Sequence, residues 1–564
     1  MAKIKTLPND VVQLIAAGEV IDSFGAVVRE LAENAIDAGA SKVAIAIDPK
    51  LWKIKVVDNG HGMDCEDLER CVTPHSTSKL GDRHDLANIS SLGFRGEALH
   101  SMTQVAQLTV ATCISGDTGH LLKAHQNQIS TTTLHPMSVG TMVTVEDLFG
   151  SFPVRRNALP SLAQQLKTIQ QFIYHLALCN PHITWQIEQA RQPWLQISSG
   201  KTSADILPQL LKTIAPSDLQ YRKFTPQDLE NLPSGSALEV VIGLPDRCHR
   251  HQSDWLKIAV NGRVIKFPTL ENAIISAFFR TLPRDRHPVC FLHLHVPPHH
   301  IDWNRHPAKS EIYLQNQDHW QDIIKVAIAE TLRFSEASLP KVENQRVINL
   351  IHAAEKADKY STETEKDLTE TELVSRALNV IGQSRNTYIL VEHSGGLWLV
   401  EQHIAHERIL YEQLQTAWQL VENKTAVILS DLTPKQLEQL TENIGLTLET
   451  FGKNLWQVKT IPAALAESNN IETALLELAD GSDLPTAQAA IACRTAVKNG
   501  TVLDQKTMQT IIAQWQQTQN PHTCPHGRPI YLSLEETSLY RFFRRHWVLG
   551  KSHGITEQKP ATNR

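Results

Sequence analysis

Residues 25–38 read GAVVRELAENAIDA and stop at Gly39. Val27, Leu31 and Ala35 recur every four residues, so the spacing predicts an amphipathic helix with one apolar face turned to a core. Gly39 predicts its C-terminal cap. Glu30, Asn34 and Asp37 fall three or four apart on another stripe. That stripe offers a carboxylate to orient or deprotonate water and an amide oxygen to ligate Mg²⁺. Alone, it fits a solvated helix face better.

The flanking sequence narrows the choice. Val43, Ile45 and Ile47 alternate, as do Trp52, Ile54 and Val56, and Pro49-Lys50 between them predicts a turn joining two strands. The second strand runs into Asp58-Asn59-Gly60-His61-Gly62-Met63. Its glycines let backbone approach a flat ligand, and a carboxylate at a strand end can accept an adenine amino proton. HSTSK follows at 75–79 and SLGFRGEAL at 91–99. Glycines ahead of a helical run present N–H groups to phosphate oxygens. No P-loop pattern, G-x-x-x-x-G-K-[ST], occurs.

These motifs, with Gly140-Thr141, follow the order and spacing of the ATPase family shared by gyrase, heat-shock chaperones, histidine kinases and MutL. GFRGEAL, AAGEV at 16–20 and DLFGSFPVRR at 147–156 resemble MutL specifically. The resemblance implies a Bergerat-type α/β sandwich over 1–216 that binds ATP and Mg²⁺. Glu30 would be the catalytic general base and Asn34 the Mg²⁺ ligand. Asp58 would select adenine beside Gly62, Met63 and Thr141. Lys79 and the loop Gly93, Phe94, Arg95, Gly96 and Glu97 would cover the phosphates. Met142 stands where the family commonly has a second threonine, and Ser151-Phe152 replaces the usual Asn-Thr.

The 564 residues exceed what one hydrophobic core organises, which predicts on the order of three or four domains. A ribosomal-type β-α domain is expected over 217–332, with strands near Leu238–Ile242, Leu256–Val260 and Cys290–Val296. Its NRHPAK stretch would lend Lys309 to the γ-phosphate. Residues 333–374 contain STETEKDLTETE, too polar to offset its ordering entropy, and predict a linker. An α/β dimerisation domain is expected over 375–564, with a regulatory subdomain at about 426–515. The whole is an α+β multidomain chain.

In the C-terminal part, Glu401-Gln402-His403 opens a helical segment that also carries Glu407 and Glu412. His403 and Glu407, four apart on a helix, can share one divalent ion. The segment resembles the D-Q-H-A-x-x-E-x-x-x-x-E signature of MutL proteins that nick DNA, with Glu401 for the usual aspartate and Ile404 for alanine. Ala492-Cys493-Arg494 and CPHGRP at 524–529 are further family elements. Cys493, Cys524 and His526 would join His403 and Glu407 on Zn²⁺ or Mn²⁺. A retained structural scaffold is the alternative.

Hydrophobic residues at 41%, charged residues at 20% and a net charge of −6 describe an ordinary soluble chain, with no global sign of nucleic-acid binding. DNA contacts would therefore be local and made to phosphates, with Arg155, Arg156 and Arg263 as candidates and a structural salt bridge as the alternative for each. Eight scattered cysteines suggest reduced thiols, and no leader or membrane-length apolar run is seen. A cytoplasmic, nucleoid-associated homodimer is expected. The resemblance implies DNA and a MutS-type mismatch sensor as partners, with a sliding clamp, a helicase or a separate endonuclease as further ones. The usual clamp segment, Q-x-L-L-x-P, is missing near Val421–Leu432, and QVKTIP at 457–462 is a loose match. The function implied is ATP-driven clamp closure on DNA that couples mismatch recognition to strand incision. A matchmaker that recruits another nuclease is the alternative.

Overall fold

The computed structural model describes residues 8–79, 89, 91–93, 96–116, 118–126, 128–133, 136–302, 312–333, 378–393, 395–466, 468, 470–481, 483–535 and 539. Phe94, Arg95, Lys309 and all but Arg333 of the expected linker lie outside them. The chain divides into two compact units. The first comprises Met1–Gly243, Ser253–Ala277 and Val289–Ile328, the second Leu244–Gln252, Phe278–Pro288 and Ala329–Arg564.

In the first unit the expected helix is Phe24–Asp37, capped when Ser23 accepts from the Ala26 N–H. Val27, Leu31 and Ala35 are all buried. Gly39, at φ +73°, ends the helix as its left-handed conformation allows. An eight-stranded sheet lies against it. In chain order the strands are β1 (Lys42–Asp48), β2 (Lys53–Asp58), β3 (Gln107–Cys113), β4 (His120–His125), β5 (Gln128–Thr133), β6 (Gly140–Glu146), β7 (Thr184–Gln189) and β8 (Gln192–Ile197). Their spatial order is β5-β4-β3-β6-β2-β1-β7-β8. Val43, Ile45 and Ile47 of β1 point inward, as alternation requires. The helix Leu162–Cys179 packs beside Phe24–Asp37.

A second sheet of the same unit has the order Arg263–Ile265, Leu256–Val260, Cys290–His295, Ala237–Gly243, Leu219–Phe224. The expected β-α elements are present here, with helices Pro268–Ala277 and Gln317–Leu332.

The second unit carries an antiparallel sheet of Asn379–Ser384, Tyr388–His393, Gly396–Glu401 and Tyr531–Glu535. Val380, Ile389, Val391, Trp398 and Val400 share a core with Met508, Ile511, Ile512 and Trp515 of the helix Gln505–Gln516. A separate core runs from Val427 to Ile491. The apolar face of Gln505–Gln516 belongs to the core of the sheet. On the sheet's other face Leu390 pairs with Leu399 and Leu399 with Leu532, while Leu397 pairs with Leu534. Leu532 is 59% exposed and Leu534 40%. Gln457 lies in a strand and Ile461 and Pro462 in another, so QVKTIP is consumed by pairing and burial. Among the described residues, no helix is long and apolar enough to cross a membrane.

Candidate functional sites

The first site gathers on the polar stripe of Phe24–Asp37. Lys79 Nζ lies 3.1 Å from Asn34 Oδ1 and 2.5 Å from Asp37 Oδ2. The same Asp37 accepts the backbone N–H of Leu92 at 2.9 Å and of Gly93 at 2.9 Å. A Cβ on Gly93 would sit 3.1 Å from Lys79 Nζ and 3.2 Å from Asn34 Oδ1, so only bare backbone fits this close to the cluster. Glu30 is one turn away, its Oε1 3.3 Å from Arg29 Nε. Asn34, Asp37, Lys79 and Gly93 thus meet in one place. Sequence reading gave Asp37 no role, although its spacing from Asn34 already put it on this face.

The adenine-side residues form a second group. Asp58 Oδ1 accepts the Gly60 N–H at 2.9 Å. Burial lifts its carboxyl above the usual aspartate range, while the N–H groups of Gly60 and Thr141 pull the other way. Gly62, at φ +74°, abuts the Cys113 carbonyl, where a side chain would clash. The Met63 N–H donates to Thr112 Oγ1 at 2.8 Å, and Thr112 lies 3.3 Å from Thr141. Thr112 was missed in the sequence because only strand pairing brings it here. Register also explains why Met142 is tolerated: Thr141 pairs with Asp58 and shares its face, whereas Met142 pairs with Val57 on the other. Gly96, at φ +64°, sits against the Ser76 backbone. Glu97 Oε1 lies 3.2 Å from His75 Nδ1.

In the second unit the residues expected to hold metal converge on Glu407, which is fully buried. His403, Glu407 and Cys493 form one trio and Glu407, Cys524 and His526 another, with ligand atoms of each within 4.8 Å of one another. His403 Nδ1 lies 3.0 Å from the Val497 carbonyl, which fixes its proton there and leaves Nε2, 3.7 Å from Cys493 Sγ, as the free donor atom. Arg528 donates to Glu407 Oε2 at 2.8 Å. His526 Nδ1 is 2.6 Å from Oε1 as an ion-pair contact, but without hydrogen-bond alignment, so Oε1 is a buried acceptor lacking a directed donor. Burial resists ionisation of Glu407, yet His526, Arg528 and His403 outweigh it and hold the carboxyl below the usual range. Cys524 and Glu407 raise His526 to about 9, against the effect of burial. A buried carboxylate amid two thiols and two imidazoles is a donor set that fits Zn²⁺.

The helix Gln402–Thr416 carries this site, with Glu401 as its N-cap. Glu412 supports it from outside, accepting the N–H groups of Gln519 and Asn520 at 2.7 and 3.1 Å. A third trio, Glu239, His293 and His295, lies in the first unit. There Lys223 Nζ is 3.0 Å from Glu239, and His293 Nε2 already accepts the Gly262 N–H at 2.9 Å. Its carboxylate is paired and its most buried imidazole engaged.

The three arginines expected at DNA have protein partners. Arg155 donates to the carbonyls of Gly18 and Ile21 and stacks on Phe149. Arg156 lies 3.0 Å from Asp147 Oδ1 and covers Trp52. Arg263 is the most enclosed of the three, its side chain 10% exposed and paired with Glu33, 2% exposed.

Three family profiles match in chain order. "Histidine kinase-, DNA gyrase B-, and HSP90-like ATPase" covers residues 22–145. "DNA mismatch repair protein, C-terminal domain" covers 224–333, and "MutL C terminal dimerisation domain" covers 381–503. The DNA mismatch repair protein MutL of Microcystis aeruginosa is 55% identical over 555 residues, 98% of this chain and 99% of that one. That of Rippkaea orientalis is 51% identical over 565 residues, again 98% and 99%. A solved structure, the N-terminal domain of a DNA repair protein, is 26% identical over 57% of this chain and 97% of its own, with a TM-score of 0.46.

Proposed function

The chain belongs to the MutL family of DNA mismatch repair proteins and carries that family's ATPase, and from this premise we propose that ATP binding and hydrolysis drive clamp closure on DNA and license strand incision at a metal-dependent C-terminal site. The observation carrying the incision step is the convergence of His403, Cys493, Cys524 and His526 on the buried Glu407 carboxylate. A divalent cation held there supplies Lewis-acid charge to a phosphodiester. His403 is oriented for this by Val497, and Glu407 contributes the charge that holds a cation.

In the ATP site, Glu30 orients and deprotonates the attacking water and Asn34 holds Mg²⁺. Lys79, now on Asn34 and Asp37, transfers to the phosphates when nucleotide enters, with Asp58 reading adenine. The leucine face around Leu399 and Leu532 supports homodimerisation, since a second copy would cover it symmetrically. Residues 1–216, 217–332, 333–374 and 375–564 are the corresponding domains. A MutS-type sensor recruits the dimer. A second reading, a matchmaker without nuclease activity, is favoured by one observation: Arg528 and His526 already neutralise Glu407.

Nicking of supercoiled plasmid in Mn²⁺ separates the two. The parent protein is expected to relax plasmid, and Glu407→Lys to lose that activity while hydrolysing ATP normally. A parent that never nicks under any divalent ion leaves the matchmaker.

A further inference from the structure

The grip on Arg263 has a specific destination. Its Nη1 and Nη2 donate to the two oxygens of Glu33 at 2.8 and 2.7 Å, and Nη2 also donates to the Leu92 carbonyl. Glu33 lies on Phe24–Asp37, between Glu30 and Asn34. The Leu92 peptide is thereby held from both sides, its carbonyl by Arg263 and its N–H by Asp37, one turn beyond Glu33. The next residue is Gly93, whose backbone faces Asn34 and Lys79.

The turn that aims Arg263 is itself braced. Asn261 exchanges two hydrogen bonds with the Val296 backbone, each 2.8 Å. Gly262 takes φ +84° and donates its N–H to the buried His293. A buried ion pair adds little net stability compared with apolar residues of the same volume, but it enforces one register, because a slip strands a charge. Here the register joins the second sheet, the helix bearing Glu30 and Asn34, and the backbone at Gly93.

We propose that Arg263 is a positioning residue for ATP hydrolysis, with the Arg263–Glu33 pair setting the catalytic helix against the Leu92–Gly93 backbone. The proposal rests on the reading of Glu30 and Asn34 given above. It makes the second domain part of the ATPase even without DNA.

The test is DNA-free ATP hydrolysis by the full chain, with thermal melting alongside. Arg263→Lys keeps the charge but loses the two-pronged grip, and kcat should fall about tenfold to hundredfold with the melting midpoint retained and KM for ATP moving less. Glu33→Arg and Arg263→Glu should be at least as impaired, and the exchange variant Arg263→Glu/Glu33→Arg should recover part of the loss. Should a single charge reversal fail to fold, Arg263→Lys carries the measurement. Parent-level kcat in Arg263→Lys, or an exchange variant no better than the folded single reversals, overturns the proposal. A Glu30→Ala control separates the two claims. If it keeps turnover, the site assignment fails; if it loses turnover while Arg263→Lys does not, only the strut fails.

Discussion

The ATP site and the Glu407 cluster meet the same electrostatic problem in different ways. In each, an oxygen suited to a metal ion is met by a protein cation: Lys79 Nζ at 3.1 Å from Asn34 and Arg528 at 2.8 Å from Glu407. The first cation, a half-buried lysine, also pairs with Asp37 at 2.5 Å, and when it leaves, that carboxylate keeps the N–H groups of Leu92 and Gly93. The second ends on a carboxylate with no exposure at all. Removing Arg528 leaves that buried anion to His526 alone, a loss a buried carboxylate resists. The contrast teaches that one site is built to exchange partners repeatedly and the other to retain them.

The strongest way to break this comparison is at Glu30. Glu30→Ala should lower ATP turnover by about 10²- to 10⁴-fold while nucleotide binding persists, as phosphate release and equilibrium binding would register. Unchanged release would remove Glu30 from the chemistry. The Glu407 side sharpens at Cys493, where serine substitution should weaken zinc binding at least about tenfold in competition with a chromophoric chelator. An unaltered affinity would return Cys493 to the scaffold. Asp58→Asn should then cost ATP binding about 1–3 kcal/mol and narrow its preference over GTP, read by competition.

The smallest effect concerns acid. Burial, with His295 close by, lowers His293 from 6.5 to about 3, so the folded state keeps it neutral while the unfolded chain protonates it. Its contribution is full above pH 6.5 and is lost as pH falls toward 3. Over the first unit below 6.5 the loss is about 1 kcal/mol, and His293→Asn should flatten that part of the melting profile. An equally steep profile in the variant would remove His293 as its source.

What could be read in the sequence follows chain separation. Glu30, Asn34 and Asp37 share one helix, and Asp58 and Gly62 share one strand end, so periodicity alone sets their mutual placement. Around Glu407, helical spacing reaches only His403, because Cys493 and Cys524 approach through packing that no local pattern encodes. Arg263 marks the limit. Its partner is 230 residues away, and an arginine after Asn-Gly looks like a solvent-facing turn until the second sheet is assembled. The helix Gln505–Gln516 is opaque for a related reason. Periodicity shows that Gln505–Gln516 has an apolar face but not which core receives it.

Glu407 belongs to both C-terminal trios, which has a thermodynamic consequence. One oxygen faces His526 and the other Arg528, and either trio draws on the same single negative charge. Loading one trio changes the field felt by the other, so their occupancies are not independent. A zinc titration of the whole protein should depart from a single hyperbola, with the second equivalent entering against a carboxylate already spent.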